Sequence, residues 1–102
     1  MKSGYLYIVI NKAFPGFVKV GVTENIESRL RTYQTSDPKR GYKMEFYIFH
    51  PNCYEAEKRI KDMMKYFSTD TIQQGEWFKC DLTTAIVRLQ ETVTDFEEGL
   101  YN

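Results

Sequence analysis

The sequence predicts an α+β fold: a small, mainly antiparallel β-sheet of about three to four strands flanked by about three helices. Short segments of alternating apolar residues, rich in β-branched and aromatic side chains, indicate strands. Longer segments with apolar residues three and four positions apart indicate helices. The 102 residues suit one domain, with a core over residues 4–80 and a C-terminal helix over residues 81–98.

The first two predicted strands form a hairpin. Residues 5–10 alternate, with leucine and isoleucine on one face and tyrosine and valine on the other. A turn at residues 11–16 contains a Pro-Gly pair, and residues 17–22 form the second strand with three valines on one face. When the aliphatic faces of the two strands meet, Tyr7 and Lys19 project from the opposite face of the hairpin.

The first helix is predicted to begin at an N-cap residue, Thr23, and to run to about residues 32–34. Arg29 lies at the edge of its apolar stripe, about 60° from Ile26. The stripe consists of Ile26, Leu30 and Tyr33. A basic, turn-rich loop follows at residues 35–41.

The remaining elements are a strand, two helices and a short strand between them. The strand at residues 43–50 is apolar on both faces, with Met44, Phe46 and Ile48 on one of them, so we place it centrally in the sheet. A helix over residues 54–67 and a polar loop over 68–74 precede a short strand at 75–80. Asp81 caps the third helix, whose buried stripe is Ala85, Ile86, Leu89, Val93 and Phe96.

Several classes of protein are excluded by composition. No apolar run approaches the ~18–20 residues needed to cross a bilayer, and the N-terminus lacks a secretory signal. We therefore expect a cytoplasmic protein with no membrane partner. Cys53 and Cys80 are 27 positions apart, neither has a C-x-x-C partner, and the chain has a single His, so we expect reduced packing residues and no zinc site.

The charges balance, but they are unevenly distributed. Lys and Arg total 14, as do Asp and Glu, which argues against an unselective binder of polyanions. Residues 1–66 contain 12 basic and 7 acidic residues, whereas residues 67–102 contain 2 basic and 7 acidic ones. The basic part is expected to form a phosphate-facing surface with weak, salt-sensitive affinity.

Four short motifs occur together over residues 4–80. They are Gly4-Tyr5-Leu6-Tyr7, the string FPGFVKVGVT at residues 14–23, Arg29 eight positions after Gly21, and GEWF at residues 75–78. In this combination the chain resembles the GIY-YIG nuclease superfamily, and within it the T5orf172/MUG113-like branch. The N-terminal MKSG followed by a tyrosine-bearing strand also resembles phage-encoded homing endonucleases, so we expect a bacteriophage origin.

The resemblance implies a metal-dependent endonuclease that hydrolyses DNA phosphodiester bonds. It assigns Tyr7 to the attacking water, Arg29 to the scissile phosphate and Glu76 to a divalent metal ion, Mg²⁺ or Mn²⁺. Such hydrolysis needs an activated nucleophile, fixed positive charge and a Lewis acid. One carboxylate is enough for Mg²⁺, which keeps most of its waters.

Two lysines match positions where the family usually has other residues. Lys19 stands at the family's second tyrosine, and an ammonium there is expected to lower the pKa of Tyr7 from about 10 and so to activate it. Lys61 matches the histidine of the branch's A-E-K-x-x-H motif. The alternative for Lys61 is an ion pair with Glu57, four residues earlier on the same helix.

Other residues have weaker assignments. Tyr5 shares a face with Tyr7 and is a candidate for lining the cleft or stacking on a base, and Lys39 and Arg40 are candidates for substrate contact. Trp77 is expected in the core, and Gly21 in a tight backbone passage.

Two alternatives to an active nuclease remain open. One is an inactive GIY-YIG-like module that binds nucleic acid or a host or phage protein. The other is a regulator that uses its acidic C-terminal helix as the contact surface.

Overall fold

The computed structural model describes residues 2–68, 70–72 and 77–97. Its elements in chain order are β1 (Gly4–Asn11), β2 (Phe17–Thr23), α1 (Ile26–Ser36), β3 (Tyr42–His50), α2 (Cys53–Phe67), β4 (Thr71–Ile72), β5 (Trp77–Lys79) and α3 (Leu82–Glu97). The strands pair antiparallel in the order β3-β1-β2-β5-β4. This confirms the α+β prediction, and the additional strand is the two-residue β4 in the segment predicted as a loop. None of the described helices is both long and apolar enough to span a membrane.

The hairpin has the predicted faces. Leu6 is paired with Val22 and Ile8 with Val20, so the aliphatic side chains of both strands share one side of the sheet. Helices α2 and α3 pack there and form the larger core, through buried residues that include Ala56, Ile60, Met64, Ala85, Leu89 and Val93. Burial of each of the larger side chains in this set, the alanines excepted, stabilises the fold by roughly 1.5–3 kcal/mol.

Helix α1 packs on the opposite side of the sheet. Tyr7, Val9 and Trp77 are buried there, with Ile26 and Tyr33 of the helix packed against them. No residue of α1 is fully buried. The small core beneath α1 therefore lies close to solvent, and it contains the tyrosine that the sequence singles out.

The predicted central position of β3 is wrong. Among the described strands β3 pairs with β1 alone and forms an edge of the sheet. The apolar residues on its two faces lie in different surroundings. Phe46 and Ile48 pack on the large core, whereas Tyr47 and Phe49 on the other face are 54% and 53% exposed. Aromatic side chains on a solvated face gave the strand the composition of a buried one.

A β-bulge in β3 also changes the predicted face of Met44. Ile8 is paired with Phe46, but the next residue, Val9, is paired with Met44, which leaves Glu45 as an extra residue. Because a shift of one residue reverses the faces of a strand, Met44 packs with Val9 and not with the large core.

Helix α1 begins two residues later than predicted, because its N-cap is Asn25 and not Thr23. The Asn25 side chain accepts a hydrogen bond from the Ser28 backbone N–H at 2.9 Å. The Thr23 hydroxyl instead accepts from the Asn25 backbone N–H at 3.1 Å, in a turn before the helix. At α3, Asp81 accepts from the Thr84 backbone N–H, which confirms the predicted cap.

Candidate active site

Tyr7 is the centre of the candidate site. It lies in the middle of β1, is 2% exposed, and is paired with Gly21 of β2. A Cβ atom at position 21 would collide with the Tyr7 ring and hydroxyl. Gly21 is therefore required because the tyrosine ring lies across it, and not because of the tight backbone passage expected from the sequence.

Tyr33 is a member of the site that sequence reasoning missed. Its hydroxyl lies 2.7 Å from the Tyr7 hydroxyl, and the two rings meet edge to face. Tyr33 is fixed from its other side by Tyr42, whose ring stacks on it at 4.8 Å. The sequence placed Tyr33 in the apolar stripe of α1, and the signal for a further role was that this stripe carries a hydroxyl.

The pKa of Tyr7 is raised strongly above its ordinary value. Burial is the largest cause, followed by the hydrogen bond to Tyr33, and the charge of Glu57 adds to the rise. The positive charge of Arg29 acts in the opposite direction but does not reverse the shift. The expected lowering of this pKa by Lys19 is therefore wrong, and Tyr7 is a neutral phenol at physiological pH.

Lys19 lies beside the site against aromatic rings. Its ammonium is 5.3 Å from the centre of the Tyr33 ring and 5.9 Å from that of Trp77. A cation over an aromatic face is attracted by the ring's negative π-density. The ammonium thus places a positive charge over the ring of Tyr33, whose hydroxyl contacts that of Tyr7.

Arg29 is the exposed cation of the site. It projects from α1 one turn before Tyr33, and its charge lowers the pKa of Tyr7. Because its side chain is solvent-exposed, it is accessible to an incoming anion at the edge of the small core. This position agrees with the flank of the apolar stripe predicted for it.

Helix α2 contributes charge from another direction. Glu57 and Lys61 form an ion pair at 3.3 Å, so the alternative predicted for Lys61 is present. The charge of Glu57 nevertheless raises the pKa of Tyr7. Among the described residues, β5 pairs with β2 only at positions 17–19. Helix α2 also packs against β2. Sequence reasoning missed Glu57, although it belongs to the A-E-K motif used for Lys61.

The proposed metal ligand Glu76 lies outside the described residues. Among the residues that are described, no group of three or more His, Cys, Asp or Glu side chains could hold a metal ion. Mg²⁺, however, commonly takes one or two carboxylates and completes its shell with water. Glu57 is a hard oxygen ligand whose side chain is 21% exposed and whose charge acts on Tyr7, so its carboxylate fits such an ion.

The basic loop after α1 is not brought to Tyr7. Asp37 accepts hydrogen bonds from the backbone N–H groups of Lys39 and Gly41 and from the side chain of Asn11. These bonds hold the pKa of Asp37 below its ordinary value. Asn11 is four residues along β1 from Tyr7, or about 13 Å.

The structure also places the other residues that the sequence singled out. Lys39 and Arg40 are exposed on the loop fixed by Asp37. Trp77 is completely buried, which confirms its expected core position, and Cys53 and Cys80 are free thiols. Tyr5 lies on the same side of the sheet as Tyr7, in edge-to-face contact with exposed Tyr47 and Phe49.

Comparison with known proteins identifies a matching family. The family model described as T5orf172 domain matches residues 4–94, which is most of the chain and includes every described residue of the candidate site. No curated protein and no solved structure matches the chain.

Proposed function

The chain belongs to the T5orf172 domain family, a nuclease-like, DNA-binding family, and we propose that it is a metal-dependent endonuclease of the GIY-YIG type that hydrolyses DNA phosphodiester bonds. One observation carries the proposal. The buried hydroxyl of Tyr7 is hydrogen-bonded to Tyr33 and lies within electrostatic reach of both Arg29 and Glu57.

In this proposal Tyr7 acts as a neutral hydrogen-bonding group. A phenol both donates and accepts, so when the Tyr7 hydroxyl donates to the Tyr33 hydroxyl its oxygen can accept a hydrogen bond from the attacking water and orient it. Arg29 stabilises the negative charge that develops on the phosphate. Lys19 supports the role of Arg29, because its ammonium adds positive charge over the Tyr33 ring.

We propose Glu57, from its position, and Glu76, from the resemblance, as the carboxylates that hold Mg²⁺ or Mn²⁺. A bound ion would supply Lewis-acid stabilisation of oxygen anions at the phosphate. Lys61, ion-paired to Glu57, would keep that carboxylate oriented in the absence of the ion.

A nicking assay on supercoiled plasmid tests this function. Wild-type protein with Mg²⁺ or Mn²⁺ is expected to convert supercoiled DNA to open circles, and Arg29→Ala and Glu57→Gln are expected to reduce the rate by about a hundredfold or more. Arg31→Ala is the matched control because Arg31 is exposed on the same helix, about 160° away from Arg29. Nicking that survives both site changes would contradict the assignment.

An inactive binding module is the second candidate, favoured by the raised pKa of Tyr7 and the ion pair that occupies Glu57. Adding Mn²⁺ in a thermal-unfolding experiment separates the two. The endonuclease proposal expects a metal-dependent rise in melting temperature that is smaller in Glu57→Gln or Glu76→Gln. A binding module with no metal site would show no rise in any of these proteins.

A further inference from the structure

A surface cleft opens where α1 begins, next to the candidate active site. Its volume is about 340 Å³, and it is lined by Tyr5, Glu24, Asn25, Ile26, Glu27 and Tyr47. Ile26 also packs against the buried cluster of Tyr7, Val9 and Trp77. The cleft and the site therefore share a wall.

Aromatic rings form one side of this cleft. Tyr5 makes edge-to-face contacts with Tyr47 and with Phe49, both at 5.8 Å between ring centres. More than half of the Tyr47 and Phe49 side chains is exposed. Adjacent exposed aromatics on a sheet face offer flat apolar surface for stacking, which proteins that bind single strands use for nucleobases.

Carboxylates form the other side. Glu24 and Glu27 flank the opening, and Lys2 pairs with Glu24 at 3.4 Å. At neutral pH a carboxylate only accepts hydrogen bonds, so it suits the ring N–H and amino groups of a base. The same charge repels phosphate. Because Arg29 lies about 160° around α1 from Glu27, the phosphate and base preferences are separated on the two flanks of the helix.

We propose that this cleft binds one unpaired nucleobase of the strand whose phosphodiester lies at Tyr7 and Arg29, with guanine preferred. The inference rests on the proposed function, because the site supplies the neighbouring phosphate. Guanine presents an N–H and an amino group side by side, which match the two oxygens of one carboxylate, whereas thymine presents carbonyl oxygens beside its single N–H. Tyr5 and Tyr7 are about 7 Å apart along β1, a separation that one nucleotide spans.

Binding of short oligothymidylates that carry one central dG, dA, dC or dT tests the proposal. Binding is measured by fluorescence anisotropy. EDTA is present so that no cleavage occurs and the signal reports binding alone. The oligonucleotide with dG is expected to bind at least about fivefold more tightly than the one with dT. Tyr47→Ala is expected to weaken binding of all four by about tenfold, through lost stacking. Glu27→Gln is expected to abolish the preference for dG while the protein still binds.

Matched controls come from other exposed positions. Tyr66→Ala removes a tyrosine that is 90% exposed on α2, and Glu91→Gln changes an exposed carboxylate on α3; both are expected to bind as the wild type does. Equal affinity for all four bases, or a Tyr47→Ala protein that matches Tyr66→Ala, would overturn the proposal.

A basic partner is the competing occupant, because aromatic rings and carboxylates also attract cations. A labelled triarginine peptide that binds with dependence on Tyr47, when no oligonucleotide does, would overturn the nucleobase assignment. Failure here is distinguishable from failure of the proposed function. Plasmid nicking that needs Arg29 but is unaffected by Tyr47→Ala would leave the endonuclease in place and remove only the base site.

Discussion

The Tyr7 and Tyr33 hydroxyls lie 2.7 Å apart, although 26 residues separate the two tyrosines in the chain. One comes from β1, which pairs with both β2 and β3, and the other from helix α1, which packs on that side of the sheet. Their contact links the buried phenol to the solvent-facing helix that carries Arg29. The first prediction concerns this bond.

Replacing Tyr33 by phenylalanine is expected to leave the Tyr7 hydroxyl without its helix partner. An unsatisfied buried hydroxyl costs about 1–3 kcal/mol of unfolding free energy, which urea denaturation measures. If Tyr33 positions Tyr7, nicking is expected to fall about tenfold or more in kcat with little change in KM. Tyr54→Phe, at a half-exposed tyrosine on α2, is the control. Unchanged turnover in Tyr33→Phe would remove the positioning role.

Replacing Gly21 by alanine is expected to displace the Tyr7 ring. The added methyl group would occupy the space of the ring and hydroxyl, and overpacking of this kind costs roughly 1–3 kcal/mol. A double-mutant cycle with Tyr7→Ala isolates the clash, because the Gly21→Ala penalty should shrink when the ring is gone. Equal penalties in both backgrounds would show that the glycine acts through the backbone instead.

The raised pKa of Tyr7 predicts how stability depends on pH. In the unfolded chain the phenol ionises near pH 10, whereas the folded protein keeps it protonated above that pH. The stabilisation that the neutral phenol contributes is therefore fully present below pH 10. Above pH 10 the free energy of unfolding falls, with a slope of up to about 1.4 kcal/mol per pH unit. Tyr7→Phe removes this contribution, so the difference between wild type and variant should narrow above pH 10. A constant difference would contradict the buried neutral phenol.

The position of Lys19 predicts the result of Lys19→Met. Loss of the ammonium from the faces of Tyr33 and Trp77 is expected to cost about 0.5–1 kcal/mol of stability. Because Tyr7 is neutral in the presence of Lys19, the pH–rate profiles of wild type and Lys19→Met should have the same shape between pH 6 and 9. An ascending limb in wild type that moves to higher pH in the variant would restore Lys19 as the activator of Tyr7.

Local features of the fold could be predicted from the sequence. The alternation in residues 5–10 and 17–22 determined which faces of the hairpin meet, because side chains alternate along any strand. The Asp81 cap was predictable because its hydrogen bond spans three residues. Arg29 could be located at the edge of the α1 stripe for the same reason: helical geometry is fixed within a few turns.

Other features depended on tertiary structure. The bulge at Glu45 and the edge position of β3 depend on how β3 pairs with β1, which composition does not specify. Tyr33 and Glu57 reach Tyr7 from two different helices, so their contribution depends on packing between distant segments.

The α+β elements, the aliphatic hairpin face and the resemblance that singled out Tyr7 and Arg29 all follow from the amino-acid sequence. The protonation of Tyr7 does not, because a pKa depends on burial and on charges brought close by folding. From the sequence, Lys19 appeared to be the dominant neighbour. In the folded chain, loss of water around the phenol outweighs the positive charge of Arg29.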